Sequence, residues 1–470
     1  MSRVSLCWIA AAVVLLGVAS FPALADTPAS CLYEEIKGDW TFYLGPDGQS
    51  KDVNCSAADL GSGTTPFQVS LTFPNLAFTP DGTQGTWTMV YNQGFEVNIA
   101  NRKFFAFSSW ETNGKVVTSH CDRTLNGWFH DRLNKDGKEY NAGNWGCYYG
   151  RKNVAVEPRV QFVGSSLSEV HGDRVYRPDH RMVEKINQAQ SSWKAVEYPH
   201  FHGMKLSEVQ RHMGNSRFPM PPKFPHTVKA SVAPEELAQL PKNFDWRNVS
   251  GVNYVSPVRN QASCGSCYSF ASMGMLESRV RILSKNKETP VFSPQNIVSC
   301  SEYSQGCDGG FSYLIGGKYG EDFGQIEESC FPYTATDEAC SLRCANPRRW
   351  YSTDYRYVGG FYGGSSAPLM MKEVYENGPV AVAFEVHPDF KNYKSGVYRY
   401  TGVTSSFNPL VTTNHAVLVV GWGETEDGTP YWIVKNSWGT SWGMEGYFWI
   451  LRNTDEVGIE SCVVRATPVL

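Results

Sequence analysis

The sequence predicts an α+β protein that opens with an antiparallel β-barrel or sandwich. Three observations carry this. Residues 26–153 alternate short apolar and aromatic runs with turn residues. Ala271–Lys285 lacks proline and is rich in helix formers, while far downstream Ala416–Val420 is an apolar run of strand type. With 470 residues, 41% hydrophobic and 13% aromatic, the chain has ample apolar content for packed cores and is neither disordered nor collagenous. The length corresponds to about three structural units at roughly 150 residues each. A net charge of −4 without a long run of one sign argues against a nucleic-acid partner.

The first 25 residues read as a secretory signal peptide. Arg3 gives a positive start, Trp8–Val18 is a mostly apolar core, and Ala23-Leu24-Ala25 surrounds a cleavage point. That core is too short to span a bilayer, and no later stretch approaches about 18 unbroken apolar residues, so no membrane span is expected. Secretion places the cysteines in an oxidising route. Of thirteen, Cys7 leaves with the signal. Cys31, Cys55, Cys121 and Cys147 can close two bridges. The seven cysteines at 264, 267, 300, 307, 330, 340 and 344 are odd in number, with Cys462 apart, so one thiol of that group stays free or pairs elsewhere.

In residues 26–153, Trp40–Leu44, Gln68–Phe73, Gly85–Tyr91, Phe95–Val97 and Lys103–Phe107 read as strands, punctuated by turns at Gly45–Gly48 and Thr79–Gly82. Asn54-Cys55-Ser56 and Asn248-Val249-Ser250 are glycosylation sequons. Residues 154–239 differ: no cysteine staples them, Val183–Ala195 has helical periodicity, and Phe218–Pro222 is proline-rich. They read as a loosely held connector or a removable segment. Its His200, His202, His212 and His226 are framed by no ligand cluster, so no metal site is expected. Charging below about pH 6.5, they can loosen the segment. After Leu240-Pro241 the composition is globular to the end.

The chemistry concentrates in four places. Gln261–Phe270 ends in Cys264-Gly265-Ser266-Cys267 just before the predicted helix, so Cys267 falls on its first turn, where the helix dipole favours a thiolate. Gln261 lies six positions upstream and offers an amide donor. His415 opens the strand run, and Asn436-Ser437-Trp438 follows the next one. A Cys–His pair needs a third group to fix the imidazole tautomer, and an Asn side-chain oxygen can do it. Trp438 can cover that hydrogen bond.

Cys264–Tyr268 matches the C-G-[SA]-C-[WY] signature, and 148 residues separate Cys267 from His415. Over Leu240–Leu470 the chain resembles the papain-like cysteine peptidases. The resemblance implies a two-lobe catalytic domain. Its helical lobe with the nucleophile falls in 240–405, and a β-barrel-like lobe with the histidine and asparagine in 406–470. It implies Cys267 as nucleophile, His415 as its proton partner, Asn436 as orienter, and Gln261 with the Cys267 N–H as oxyanion hole. Cys307-Asp308-Gly309-Gly310 matches the glycine-rich wall of the family's cleft, making Gly309 and Gly310 substrate-binding.

The 214 residues between Ala25 and Leu240 exceed one prosegment. That arrangement, with Asp26-Thr27-Pro28-Ala29, the four early cysteines and Gly359–Gly364, is similar to the cathepsin C group of the family, whose first domain (here 26–153) is a β-barrel exclusion domain. The resemblance implies a peptidase that removes dipeptides from peptides and proteins with a free N-terminus, the Asp26 carboxylate capturing the substrate amine. It also implies a chloride ion among Phe311, Tyr313 and Tyr357, with no metal or organic cofactor. The implied disulfides are Cys31–Cys121, Cys55–Cys147, Cys264–Cys307, Cys300–Cys340 and Cys330–Cys344, leaving Cys462 unpaired. Maturation would excise 154–239 and cut near Ser405–Phe407, giving homotetramers of processed chains in lysosomes. The alternatives are a papain-like endopeptidase with an accessory β-domain and a silent binding protein. The intact Cys267, His415, Asn436 and Gln261 set counts against the latter.

Overall fold

The computed structural model describes residues 27–162, 172, 174–214 and 232–470. The signal peptide, Asp26 and His226 lie outside the described residues. Ten strands build the first region: β1 (Gly38–Leu44), β2 (Thr65–Thr72), β3 (Leu76–Phe78), β4 (Gln84–Val90), β5 (Gly94–Ile99), β6 (Arg102–Asn113), β7 (Val116–Thr124), β8 (Gly127–Asp131), β9 (Gly146–Lys152) and β10 (Arg159–Phe162). All pairings are antiparallel. β1 to β6 followed by β8 and β9 close a barrel, because β9 returns to β1 from Trp40↔Lys152 to Leu44↔Tyr148. Alternate residues point inward, so Trp40, Phe42, Phe95, Phe104 and Tyr148 are buried together, with Phe42 and Tyr148 ring centres 5.0 Å apart. Cys31–Cys121 and Cys55–Cys147 staple this barrel.

The second region holds a larger sheet. Its strands are β11 (Trp193–Ala195), β12 (Phe244–Asp245), β13 (Ser352–Tyr357), β14 (Val380–Val386), β15 (Tyr393–Tyr398), β16 (Thr413–Glu424), β17 (Pro430–Lys435), β18 (Tyr447–Leu451) and β19 (Cys462–Pro468). The order is β11-β15-β18-β17-β16-β14-β19-β13, with β12 beside β16. This corrects the expected division of lobes at residue 405. β14 pairs with β16 along its whole length, Val380↔Val419 to Val386↔Thr413, so strands before 405 share a sheet with His415.

The helices α1 (His180–Ala189), α2 (Leu206–Met213), α3 (Cys267–Leu283) and α4 (Pro294–Cys300) surround it. α3 is buried from Cys267 to Val280. It fits against β16 because Gly274 lacks a side chain: a Cβ there would stand 3.2 Å from Leu418 Cδ2. Cys264–Cys307, Cys300–Cys340 and Cys330–Cys344 tie the loops around α3 and α4. Among the described residues no helix is long and apolar enough to cross a membrane.

Residues 174–214 are not loosely held, a second correction. β11 adds an edge strand to β15, and Tyr176, Met182, Ile186, Trp193, Tyr198, Phe201, Leu206, Val209 and Met213 are all buried. These anchors are spaced widely through a polar stretch, so each finds its place on the sheet only in the folded chain. Cys462 is buried beside Tyr91 of the barrel, and burial pushes its thiol up to about 12.

Candidate active site

The tripeptide Asn436-Ser437-Trp438 organises the cleft. The Asn436 side-chain oxygen Oδ1 accepts from His415 Nε2 at 2.8 Å and from the Ser437 N–H at 2.8 Å. That fixes the His415 tautomer with the proton on Nε2, leaving Nδ1 buried and without a hydrogen-bond partner among the described residues. Trp438 lies against the imidazole at 5.1 Å and keeps water from the His–Asn bond. Burial lowers the His415 pKa to about 4, against the opposing pull of Asn436.

Ser437 reaches the other side. Its hydroxyl donates to Gln261 Oε1 at 2.6 Å, and its carbonyl accepts the Gln261 backbone N–H at 2.8 Å. With Oε1 held, the amide group must present Nε2 toward the Cys264–Cys267 loop, where it donates to the Cys264 carbonyl at 3.0 Å. The loop leads directly into α3, whose first residue is Cys267. The structure places the sequence-predicted His415, Asn436 and Trp438 together and sets Gln261 against the loop that enters α3 at Cys267. Sequence reading missed Ser437 as the link between the imidazole and amide halves; only its position between Asn436 and Trp438 could have signalled that.

The wall beside α3 needs glycine. Gly309 has φ +133°, and a Cβ on Gly310 would stand 2.7 Å from the Tyr268 ring. The chain then runs through Phe311 into a π-helical stretch, Tyr313–Tyr319. Tyr313 stacks on Tyr357 at 4.6 Å, and Tyr91 of the barrel lies 4.6 Å from Phe311. The structure therefore brings Gly309, Gly310, Phe311, Tyr313 and Tyr357 into one wall, with the barrel closing on it. Thr27, the residue after Asp26, helps line a cavity of about 610 Å³ between the barrel and Glu302–Gln305.

The cleft is covered. α2 runs over it, Gln210 exchanging two 2.8 Å hydrogen bonds with the Val411 backbone. His212 contacts Trp438 at 5.1 Å on the ring already touching His415, and its Nδ1 donates to the Ala262 carbonyl at 3.0 Å. A Cβ on the next glycine, Gly214, would meet the Asn414 carbonyl oxygen at 2.2 Å. Of the segment's other histidines, His202 pairs with Glu197 at 3.1 Å and His200 is exposed. Asn54 and Asn248 are both exposed.

Residues 240–467 match the papain family of cysteine proteases, and residues 26–152 match the cathepsin C exclusion domain. Across 95% of its length the chain is 40% identical to cathepsin C of Schistosoma mansoni, covering 96% of that protein. The chain belongs to the cathepsin C family of papain-type cysteine proteases. It is also 32% identical to dipeptidyl aminopeptidase 1 of Plasmodium falciparum, over 48% of this chain and 44% of that one. The solved structure of procathepsin B S9 from Trypanosoma congolense resembles it with TM-score 0.51 at 26% identity, covering 62% of this chain and 98% of that one. In the cathepsin C family frame, the barrel is the exclusion domain and residues 240–467 form the protease domain.

Proposed function

We propose that this protein is a cysteine dipeptidyl peptidase, removing dipeptides from the free N-termini of peptides and proteins. The observation that carries it is an imidazole and an amide, both oriented by Asn436-Ser437, the amide set against the loop that enters α3 at Cys267, in a cleft whose wall is clamped by an exclusion domain. Cys267 is the nucleophile. Negative charge on its sulfur is favoured at the start of α3, and the thiol proton passes to His415 Nδ1. The sulfur bonds to the scissile carbonyl carbon, whose oxygen becomes an oxyanion held by Gln261 Nε2–H and the Cys267 N–H. Such donors are each worth about 2.7–4 kcal/mol. The C–N bond breaks as His415 returns the proton to the leaving amine, and water hydrolyses the thioester with His415 again taking a proton.

Asp26 is the anchor for the substrate ammonium, spaced two residues from the reacting carbonyl. Ala29 and Ser30, three and four residues further on, are buried in the barrel region, and a carboxylate is the charge-matched partner for an ammonium. For chloride, the Tyr357 hydroxyl fits: it is buried without a hydrogen-bond partner among the described residues. Phe311 lines the same place. The Tyr313 hydroxyl does not fit as a donor, because it is committed to Glu96 of the barrel at 3.1 Å. Chloride held by Tyr357 would supply fixed negative charge at the pocket floor. Lysosomal residence, a homotetramer of processed chains, excision within 154–239 and glycosylation of Asn54 and Asn248 belong to the same reading and rest on the family resemblance.

The test uses processed enzyme and a peptide beginning Gly-Arg, free or N-acetylated, followed by mass spectrometry. Stepwise loss of dipeptides from the free peptide alone is expected, and none from a Cys267→Ser chain. Equal cleavage of both peptides would make it an endopeptidase.

A further inference from the structure

Glu96 stands on β5 between Phe95 and Val97, whose side chains fill the barrel, so its own side chain leaves the barrel on the outer face. A strand carboxylate on that face would ordinarily meet water. Here the face is covered by the protease domain, and Glu96 is 1% exposed. Both of its oxygens are used across the boundary. Oε1 accepts from Tyr313 at 3.1 Å and from Asn98 Nδ2 at 3.1 Å, and Oε2 accepts from Tyr355 at 2.6 Å. Lys103, ion-paired with Glu321 at 2.5 Å, sits 4.5 Å over the Tyr355 ring.

The two phenols are neutral donors, since burial and the Glu96 charge hold both well above the usual tyrosine range. Tyr313 opens the π-helical stretch, a geometry that is rare and concentrated at functional sites. Its ring stacks on Tyr357 with 16° between planes and faces Tyr355 edge-on at 5.3 Å. Tyr313 is three residues past Gly310, so whatever sets its ring sets the wall beyond the glycines. A carboxylate fixed in a closed barrel is a rigid support for such a setting.

We propose that Glu96 is a positioning residue for specificity: through Tyr313 and Tyr355 it shapes the pocket that receives the side chain of the substrate's N-terminal residue. The exclusion domain then does more than block the cleft, because its carboxylate supports one wall of the substrate pocket. This rests on the dipeptidyl peptidase reading above, and the test separates the two.

Processed enzyme, its Glu96→Gln and Tyr313→Phe variants and the double variant are compared on Phe-Arg and Gly-Arg amides, which fill the pocket or leave it empty. Losing charge-assisted acceptors predicts that Glu96→Gln raises KM for Phe-Arg about tenfold more than for Gly-Arg, with kcat changed less than KM. In the Tyr313→Phe background that preference should largely disappear, because the two substitutions act on one contact. The alkylation rate of Cys267 by iodoacetamide reports on the nucleophile independently. Equal losses on both substrates, additive effects in the double variant, or a matching fall in alkylation would each reduce Glu96 to a structural contact and overturn the proposal. If wild-type enzyme cleaves N-acetylated Gly-Arg peptides as well as free ones, the dipeptidyl reading fails instead, and the Glu96 comparison still reads as pocket shape.

Discussion

Two regions grip the protease domain, and they do so by different chemistry. The barrel is held by buried charge. Lys103 pairs with Glu321; His130 and Lys318 both contact Asp322, at 3.2 and 3.0 Å; and Tyr303 donates to Asp322 at 2.9 Å. Residues 174–214 are held by strand pairing, aromatic anchors and neutral hydrogen bonds, such as the Tyr198 hydroxyl donating to the Tyr393 carbonyl at 2.7 Å. Acid acts oppositely on the two. Against the upward push of burial, Lys318 and His130 hold the Asp322 carboxyl below the ordinary range, so its contribution persists until pH falls below the normal carboxylate pKa. His212 is the reverse case. Its Nε2 is buried without a partner among the described residues, burial lowers its pKa to about 3, and the titratable groups facing it are His200 and His415, both cationic when charged. Docking of the segment is then fully supported above about pH 6.5 and weakens as pH falls from there toward 3. A lasting attachment and a releasable one are distinguished by where the protons go.

The largest effect should come from the charge cluster. Lys318→Met leaves Asp322 with a deficit of positive charge in the interior and should cost about 3–5 kcal/mol, read by urea denaturation of the full chain. A loss below about 1 kcal/mol would mean that the cluster does not hold the barrel. Next is the acid response. Between pH 6.5 and 4.5 the uncleaved chain should expose Cys267 to alkylation up to about 100-fold more, at tenfold per pH unit, and His212→Phe should flatten that profile. A variant that keeps the wild-type slope would clear His212 of the role. The smallest is Tyr198→Phe, which removes two neutral hydrogen bonds, the donation to the Tyr393 carbonyl and the acceptance from the Gly443 N–H, and should weaken segment docking by about 2 kcal/mol, equally at all pH values. A pH-dependent effect there would blur the contrast between the two attachments.

Much of this was legible in the sequence because it is local. Turn residues around short aromatic runs pointed to the barrel, the odd number of later cysteines to one thiol outside the bridges, and the motif around Cys267 with His415 and Asn436 to residues that the fold gathers around the start of α3. What was not legible depends on partners distant in sequence. Glu96 occupies an ordinary outward strand position, and only the docked protease domain turns it into a buried acceptor. The segment looked loose because its anchors, Trp193, Tyr198 and Phe201 among them, have no cysteine and no continuous apolar face to announce them. The division at 405 failed for the same reason: β14 belongs with β16, although 26 residues of β15 and loop intervene. Cys462 stands outside the bridges because its partner is Tyr91 of the barrel, 371 positions away in the chain.

The edge strand β11 has a further consequence. It occupies the outer side of β15, receiving the Val397 N–H at the Ser192 carbonyl and pairing Trp193 with Gly396. If residues 174–214 were removed, the stretch Tyr393–Tyr398 would become the open margin of the sheet, with unsatisfied amides and carbonyls able to template another chain. Release of the inhibitor-like cover and protection of that margin are therefore coupled problems. A chain processed in that way would have to shield the strip by rearranging a nearby loop or seating another molecule there, or it would cling to itself.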